Sequence, residues 1–244
     1  MSGLLVDLKG LCISTHERTL VKDVDVQVHA EAITALCGPS GSGKSLTARA
    51  IMGVLDVDPG LQDGELRYPL HGDRDWFDGV RGKGMGAQQQ LLQQTRVLRG
   101  KYFTYSPQSA SSALNPGRTI GRQLELAISR RDEAPADLGK EIAGILDQVG
   151  LRHSVSGSLP SELSGGMCQR AALAIAIAPS PRLVIADEPE TGLDPVLRRG
   201  VIELLVHVCK ENRAGLLLIS HHEDTVGRIA DHVVRLTPYQ AEVA

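Results

Sequence analysis

Apolar and polar residues alternate from the start of the chain: Leu4, Val6 and Leu8 share one face, and Val24, Val26 and Val28 repeat the pattern. A period of two predicts strands that bury one side. Ile33 to Cys37 is a short apolar run ending in a glycine-rich loop, and from Ser45 to Met52 and Gly53 the period becomes helical. The predicted unit is strand, loop, helix. From Asp56 to about Gly86 the chain is rich in Gly, Asp and Pro, with a few strand-like residues near Leu66. Met85 to Leu98 predicts a polar helix, Tyr102 to Tyr105 a strand, and Pro107 to Pro116, with its serines, a loop.

In the second half, Leu138, Ile142, Ile145, Leu146 and Val149 fall on one helical face of a segment opening at Asp137. Ser164 to Ala178 predicts a buried helix with Ser164 as its cap. Leu183 to Ala186 and Leu216 to Ile219 are short apolar runs fit for central parallel strands. Between them, Asp194 as cap and Pro195 in the first turn open a helix to about Asn212. Strands alternating with helices predict an α/β protein with right-handed crossovers.

Composition narrows this. Of the 244 residues 42% are hydrophobic and 23% charged, which suits a globular core, but only 3% are aromatic. The core must rest on Leu, Ile, Val and Ala, as parallel strands covered by helices do. A net charge of -3, with basic residues scattered rather than striped, argues against nucleic acid. The opening residues lack the basic and apolar regions of a signal peptide. No stretch approaches the ~20 apolar residues that span a bilayer; Ala171 to Ala178 is cut off by Pro179. Any membrane spans are expected from another chain. Cys12, Cys37, Cys168 and Cys209 are far apart and show no zinc spacing, so they read as plain thiols of a reducing compartment.

The candidate chemistry begins where the first central strand meets its helix. GPSGSGKS fits G-x-x-x-x-G-K-[ST], and the candidate nucleotide-binding residues are Gly38, Pro39, Ser40, Gly41, Ser42, Gly43, Lys44, Ser45 and Leu46. Glycines let backbone N–H groups converge on one anion, and the helix adds its positive end. Lys44 can reach the outer phosphates of ATP, and Ser45 can ligate Mg²⁺. LVIADE, Leu183 to Glu188, places two carboxylates at the carboxyl edge of a strand, where ligands of such sheets bind. Asp187 can hold the metal and Glu188 can act as general base toward water. Alone, an apolar run ending in two acids is a weak signal, because many buried strands end in solvated carboxylates. LSGGM, Leu163 to Met167, sets Ser164, Gly165 and Gly166 at another helix start suited to phosphate. One compact subunit has one nucleotide to cradle. The second start therefore fits the ATP of a partner subunit, and a head-to-tail dimer with composite sites follows.

These strings together resemble the nucleotide-binding domain of ABC transporters, over about Leu4 to Leu236. GPSGSGKS resembles the Walker A motif, LVIADE the Walker B, and LSGGM with CQR the ABC signature. The resemblance implies a P-loop NTPase (RecA-like) core with a small antiparallel β subdomain and an α-helical subdomain, the last at about 109–162 of a single domain spanning 1–244. It implies that Gln108 is the Q-loop glutamine, touching Mg²⁺ and water, and that Asp194 of TGLD lies at the dimer contact. His221 matches the switch histidine that meets the γ phosphate, with His222 one residue away as the competing choice. A lone Gln after Pro is otherwise a solvated loop residue, and a lone His at a strand end a structural one.

SPQSASSALNP, GKSLTARAIMGVL and LSGGMCQR are similar to the ATPases of dipeptide, oligopeptide and nickel importers. In that group a second ATPase subunit, copy or paralogue, pairs beneath two permease subunits fed by an external solute-binding protein. The implied protein binds and hydrolyses ATP with Mg²⁺ at the cytoplasmic face of the inner membrane and powers uptake of a peptide or a nickel or metal chelate. Soluble translation-type or repair-type ABC ATPases fit less well, since they carry paired domains or coiled-coil insertions; a regulatory, weakly hydrolysing subunit is the further alternative. The sequence departs from the group in several places. The adenine-stacking aromatic falls near Thr15 or His16, Glu190 replaces a usual Thr, and the turn from His29 to Ala32 lacks its usual Gly. The end at Ala244 is early for a peptide importer, which tilts the expectation toward a compact variant or a metal importer.

Overall fold

The computed structural model describes residues 3–108, 113–191 and 195–238. Its contacts separate two units, Met1–Arg99 with Leu217–Ala244, and Gly100–Leu216. The first contains β1 (Leu4–Thr15), β2 (Thr19–His29), β3 (Ile33–Cys37), α1 (Lys44–Ile51), β4 (Pro59–Arg67) and α2 (Gly84–Gln94). The second contains β5 (Phe103–Ser106), α3 (Ile120–Ile128), α4 (Leu138–Gln148), α5 (Gly165–Ile177), β6 (Leu183–Asp187) and α6 (Pro195–Glu211). Strand β7 (Gly215–Ile219) starts in the second unit and ends in the first, which closes with α7 (Glu223–Ile229) and β8 (His232–Arg235). The protein is α/β, with parallel strands and a separate antiparallel sheet.

That antiparallel sheet has the order β2-β1-β4. The opening alternation runs further than Leu8, because β1 changes parity midway. Leu8 faces Val26 while Leu11 faces Val24, so β1 spends one residue more than its partner between the two pairs. A similar irregularity against β4 separates the pairs Lys9 with Glu65 and Cys12 with Asp63. Such a bulge moves the apolar set from even to odd positions without turning it to solvent. Val6, Leu8, Leu11 and Ile13 are accordingly all fully buried. The segment near Leu66 is also longer than its glycines suggest, forming nine residues of strand. In the turn after β2, Glu31 adopts the left-handed φ of 59° that a Gly would take there.

The parallel strands carry the chemistry. In the first unit, β3 and β8 pair in parallel, Thr34 with His232 through Cys37 with Arg235. Every residue of β3 and of β7 is buried, as strands covered on both faces must be. Ala35 and Cys37 of β3 pack on Val226 of α7. In the second unit β5 and β6 are parallel neighbours, with Phe103 beside Leu183 and Tyr105 beside Ile185. Helices α3, α4 and α5 start on side-chain caps: Thr119 Oγ1 accepts from Arg122 N, Asp137 Oδ1 from Lys140 N and Ser164 Oγ from Met167 N. Each such cap contributes about 1 kcal/mol. Helix α3 was not foreseen. Ile120, Leu124 and Ile128 form its buried stripe, and the buried Gln123 amide ties it to the preceding turn through Asn115 N, Asn115 O and Arg118 O. Among the described residues no helix is long and apolar enough to cross a membrane.

Candidate functional site

The glycine-rich loop leaves β3 and enters α1 through backbone that few side chains tolerate. Gly38, Gly41 and Gly43 have φ of 145°, 81° and 91°. A Cβ on Gly38 would stand 2.2 Å from the carbonyl oxygen of Leu236, and one on Gly43 would stand 2.6 Å from Val21 Cγ2. Positive φ and missing room together make glycine obligatory there. Gly38→Ala is therefore expected to cost on the order of 3 kcal/mol and to lower the melting temperature by about 6–12 °C. An unchanged thermal melt would contradict the contact with Leu236.

Helix α1 opens on Gly43 with no side-chain cap, so the positive end of the helix faces the loop. Pro39, Ser40 and Gly41 are exposed, while Ser45 and Leu46 are half-buried in the first turn. Ser42 is buried, and its Oγ has no hydrogen-bond partner. Lys44 is 5% exposed. Its Nζ donates to the carbonyl oxygens of Gly38 at 2.9 Å and Pro39 at 3.0 Å, so the ammonium lies folded over the loop. An orphaned hydroxyl, the positive end of a helix and a folded-back cation are what a polyphosphate takes up.

The neighbouring strand brings His221 to the same edge of the first unit, because Ser220 N donates to Leu36 O of β3 at 3.2 Å. His221 is exposed. His222 is more constrained: its N–H donates to Ser220 Oγ at 3.1 Å and its carbonyl accepts from Thr225 and Val226. The two imidazoles lie with centroids 4.0 Å apart. The exposed His16 pairs with Asp58, Nε2 to Oδ2 at 2.9 Å.

In the second unit, β6 ends on Asp187, which is 7% exposed. Tyr105, on β5, donates its phenol O–H to Asp187 Oδ2 at 3.0 Å. Glu188 follows with φ of 45°, a conformation in which a non-glycine residue is strained. The strain turns the chain off the strand axis directly after the metal-type carboxylate. Thr191 holds the turn, its N–H donating to Glu188 O at 3.1 Å and its hydroxyl to Glu188 Oε2 at 3.2 Å. Glu190 is buried, at 1% exposure.

Gln108 stands exposed two residues beyond β5. It borders a shallow depression lined also by Pro107, Arg170, Leu173 and Leu205. Ser164, Gly165 and Gly166 form an exposed start to α5. Asp194 lies outside the described residues. Burial raises the Cys168 thiol and pushes Cys209 up to about 12, so neither is a thiolate at neutral pH.

In the second unit the Asp187 carboxylate and the Gln108 amide are hard oxygen donors of the kind Mg²⁺ takes, and in the first unit the Ser45 hydroxyl is a donor of the same class. The buried Asp187 carboxylate, already held on one oxygen, fits such a role. Sequence patterns named the residues at the strand ends but missed their supports. Thr191 lies within TGLD and could have been found from its closeness to Glu188. Tyr105 gave no signal beyond its place in a strand.

Comparison with known proteins bears on the family of the chain. The family model described as ABC transporter matches residues 21–191. An oligopeptide transport ATP-binding protein, OppD of Lactococcus lactis subsp. cremoris, is 33% identical over 87% of this chain and 60% of its own. The chain thus spans about three-fifths of that relative's length. The metal-staphylopine import system ATP-binding protein CntD of Staphylococcus aureus is 31% identical over 94% of this chain and 81% of its own. Among solved structures, cbiO1 of Clostridium perfringens, described as part of an ABC transporter complex, shares the fold with a TM-score of 0.75. It does so at 20% identity over 98% of this chain and 88% of its own. A family match that runs from β2 to the turn after Glu188 leaves one assignment: the chain belongs to the ABC transporter family.

Proposed function

We propose that this chain is the ATP-binding and ATP-hydrolysing subunit of an importer that takes up a small solute, a peptide or a nickel or other metal chelate. One observation carries the reading. The chain holds a glycine-built cradle with a folded-back lysine, and separately an exposed helix start at Ser164–Gly166. A partner ATPase subunit, copy or paralogue, would present its own Ser164-type start to this subunit's nucleotide. Two permease subunits and an external solute-binding protein complete the proposed assembly at the cytoplasmic face of the membrane. The names of OppD and CntD support both solute classes.

In this reading Lys44 leaves the carbonyls of Gly38 and Pro39 for the β and γ phosphates, while the loop amides and the start of α1 hold the rest. Asp187, Ser45 and Gln108 would hold Mg²⁺, which neutralises charge on the phosphates. Glu188 takes the proton of the attacking water, and His221 orients the γ phosphate. Closure of two subunits favours the nucleotide-bound state and shifts the permease with it. Asp194 belongs at the contact between subunits.

The test is uptake of radiolabelled nickel and of a labelled dipeptide in source cells carrying wild type or Glu188→Gln. Loss of one uptake in the variant is expected, and it identifies the solute class. Unchanged uptake of both would remove the importer assignment.

A further inference from the structure

Tyr105 contributes something no motif of the chain assigns. It sits on β5 opposite Ile185 of β6, two residues before Asp187. Parallel strands rise about 3.3 Å per residue and residues two apart share a face. Asp187 therefore lies about 6.6 Å further along the same face, within the length of a tyrosine side chain. The 3.0 Å bond from the phenol to Oδ2 follows from that register. Tyr105 as a whole residue is 37% exposed, so packing alone does not require a tyrosine there.

We propose that Tyr105 is a positioning residue for the Asp187 carboxylate: its phenol holds Oδ2 and so fixes the carboxylate in the orientation that receives Mg²⁺. This rests on the proposed ATP·Mg²⁺ site. The bond adds a restraint on the terminal torsion of that carboxylate, and loss of a restraint on a ligand weakens the metal it holds. Supports of this kind typically set metal affinity by about 10–100-fold. The phenol is not itself a ligand, so its effect must pass through Asp187.

The experiment titrates Mg²⁺ against binding of a fluorescent ATP analogue by the full chain, with EDTA as the metal-free reference. Tyr105→Phe keeps the ring and removes only the hydroxyl. It is expected to raise the Mg²⁺ concentration at half-effect by about 10-fold, with binding in EDTA and the thermal melt unchanged. In an Asp187→Asn background the same substitution is expected to change nothing further. An unchanged Mg²⁺ titration would overturn the proposal. So would weaker binding in EDTA, which would place the phenol on the nucleotide, or an undiminished effect in the Asp187→Asn background. Wild type that binds the analogue without regard to Mg²⁺ would instead overturn the proposed site, and the role of Tyr105 with it.

Discussion

Glu188→Gln is expected to slow ATP turnover by about 10²–10⁴-fold, the usual contribution of a positioned general base, while ATP still binds. Glutamine keeps the size and reach of glutamate and can still accept from the Thr191 hydroxyl, which now meets Glu188 Oε2 at 3.2 Å. It can occupy the same left-handed backbone at a similar cost, so the turn after β6 is retained. What it loses is the ability to take a proton from water. Phosphate release by the chain assembled with its partner subunits, measured beside equilibrium nucleotide binding, separates the two. Turnover at the wild-type rate would remove Glu188 from the chemistry and leave Glu190 as the acid to test.

Lys44→Met should have the opposite profile, with ATP binding weakened by about 100-fold or more. Hydrogen bonds from a charged donor contribute about 1.5–3 kcal/mol each, and two of them to the phosphates amount to a loss of that size. Methionine fills a similar buried volume, which limits collateral damage at a side chain that is only 5% exposed. The empty protein also loses the bonds from Nζ to Gly38 O and Pro39 O. A fall in melting temperature is therefore expected without ligand, from at most about 3–6 kcal/mol for two such bonds, offset in part because Met no longer buries an ammonium. Nucleotide affinity equal to wild type, by calorimetry, would mean that the ammonium stays on the loop carbonyls and never reaches a phosphate.

Other supports follow the same logic of short reach and fixed backbone. His222 is held at the start of α7 by its N–H and carbonyl, and its ring lies against that of His221. Glycine is demanded at Gly38 by a carbonyl of the residue after β8, nearly two hundred positions away in the chain. A loop read as a local phosphate motif is thus shaped partly by a distant strand.

The elements with a clear period were legible from composition along the chain. The run from Ile33 to Cys37 followed by a helix, the stripe from Leu138 to Val149, and the apolar runs at Leu183 and Leu216 all lie in elements of the expected type. Helix α3 carries the stripe Ile120, Leu124 and Ile128, but its inward face also takes a buried glutamine, Gln123, which blurs the pattern. Strand β1 escaped in part because its parity changes between Leu8 and Leu11, which breaks the alternation that identifies a strand.

By itself the sequence determined the α/β class, the glycine cradle with Lys44, the carboxylate pair at a strand end and the family resemblance. All of these are set by neighbours within a few residues, where periodicity, glycine and helix starts express themselves locally. Tertiary structure alone decided that Tyr105 meets Asp187, 82 residues away, that Glu188 sits in strained backbone, and that Glu190 is buried. Those facts depend on sheet register and on which face each strand turns inward. Register is chosen by the packing of whole strands, and no short string of residues encodes it.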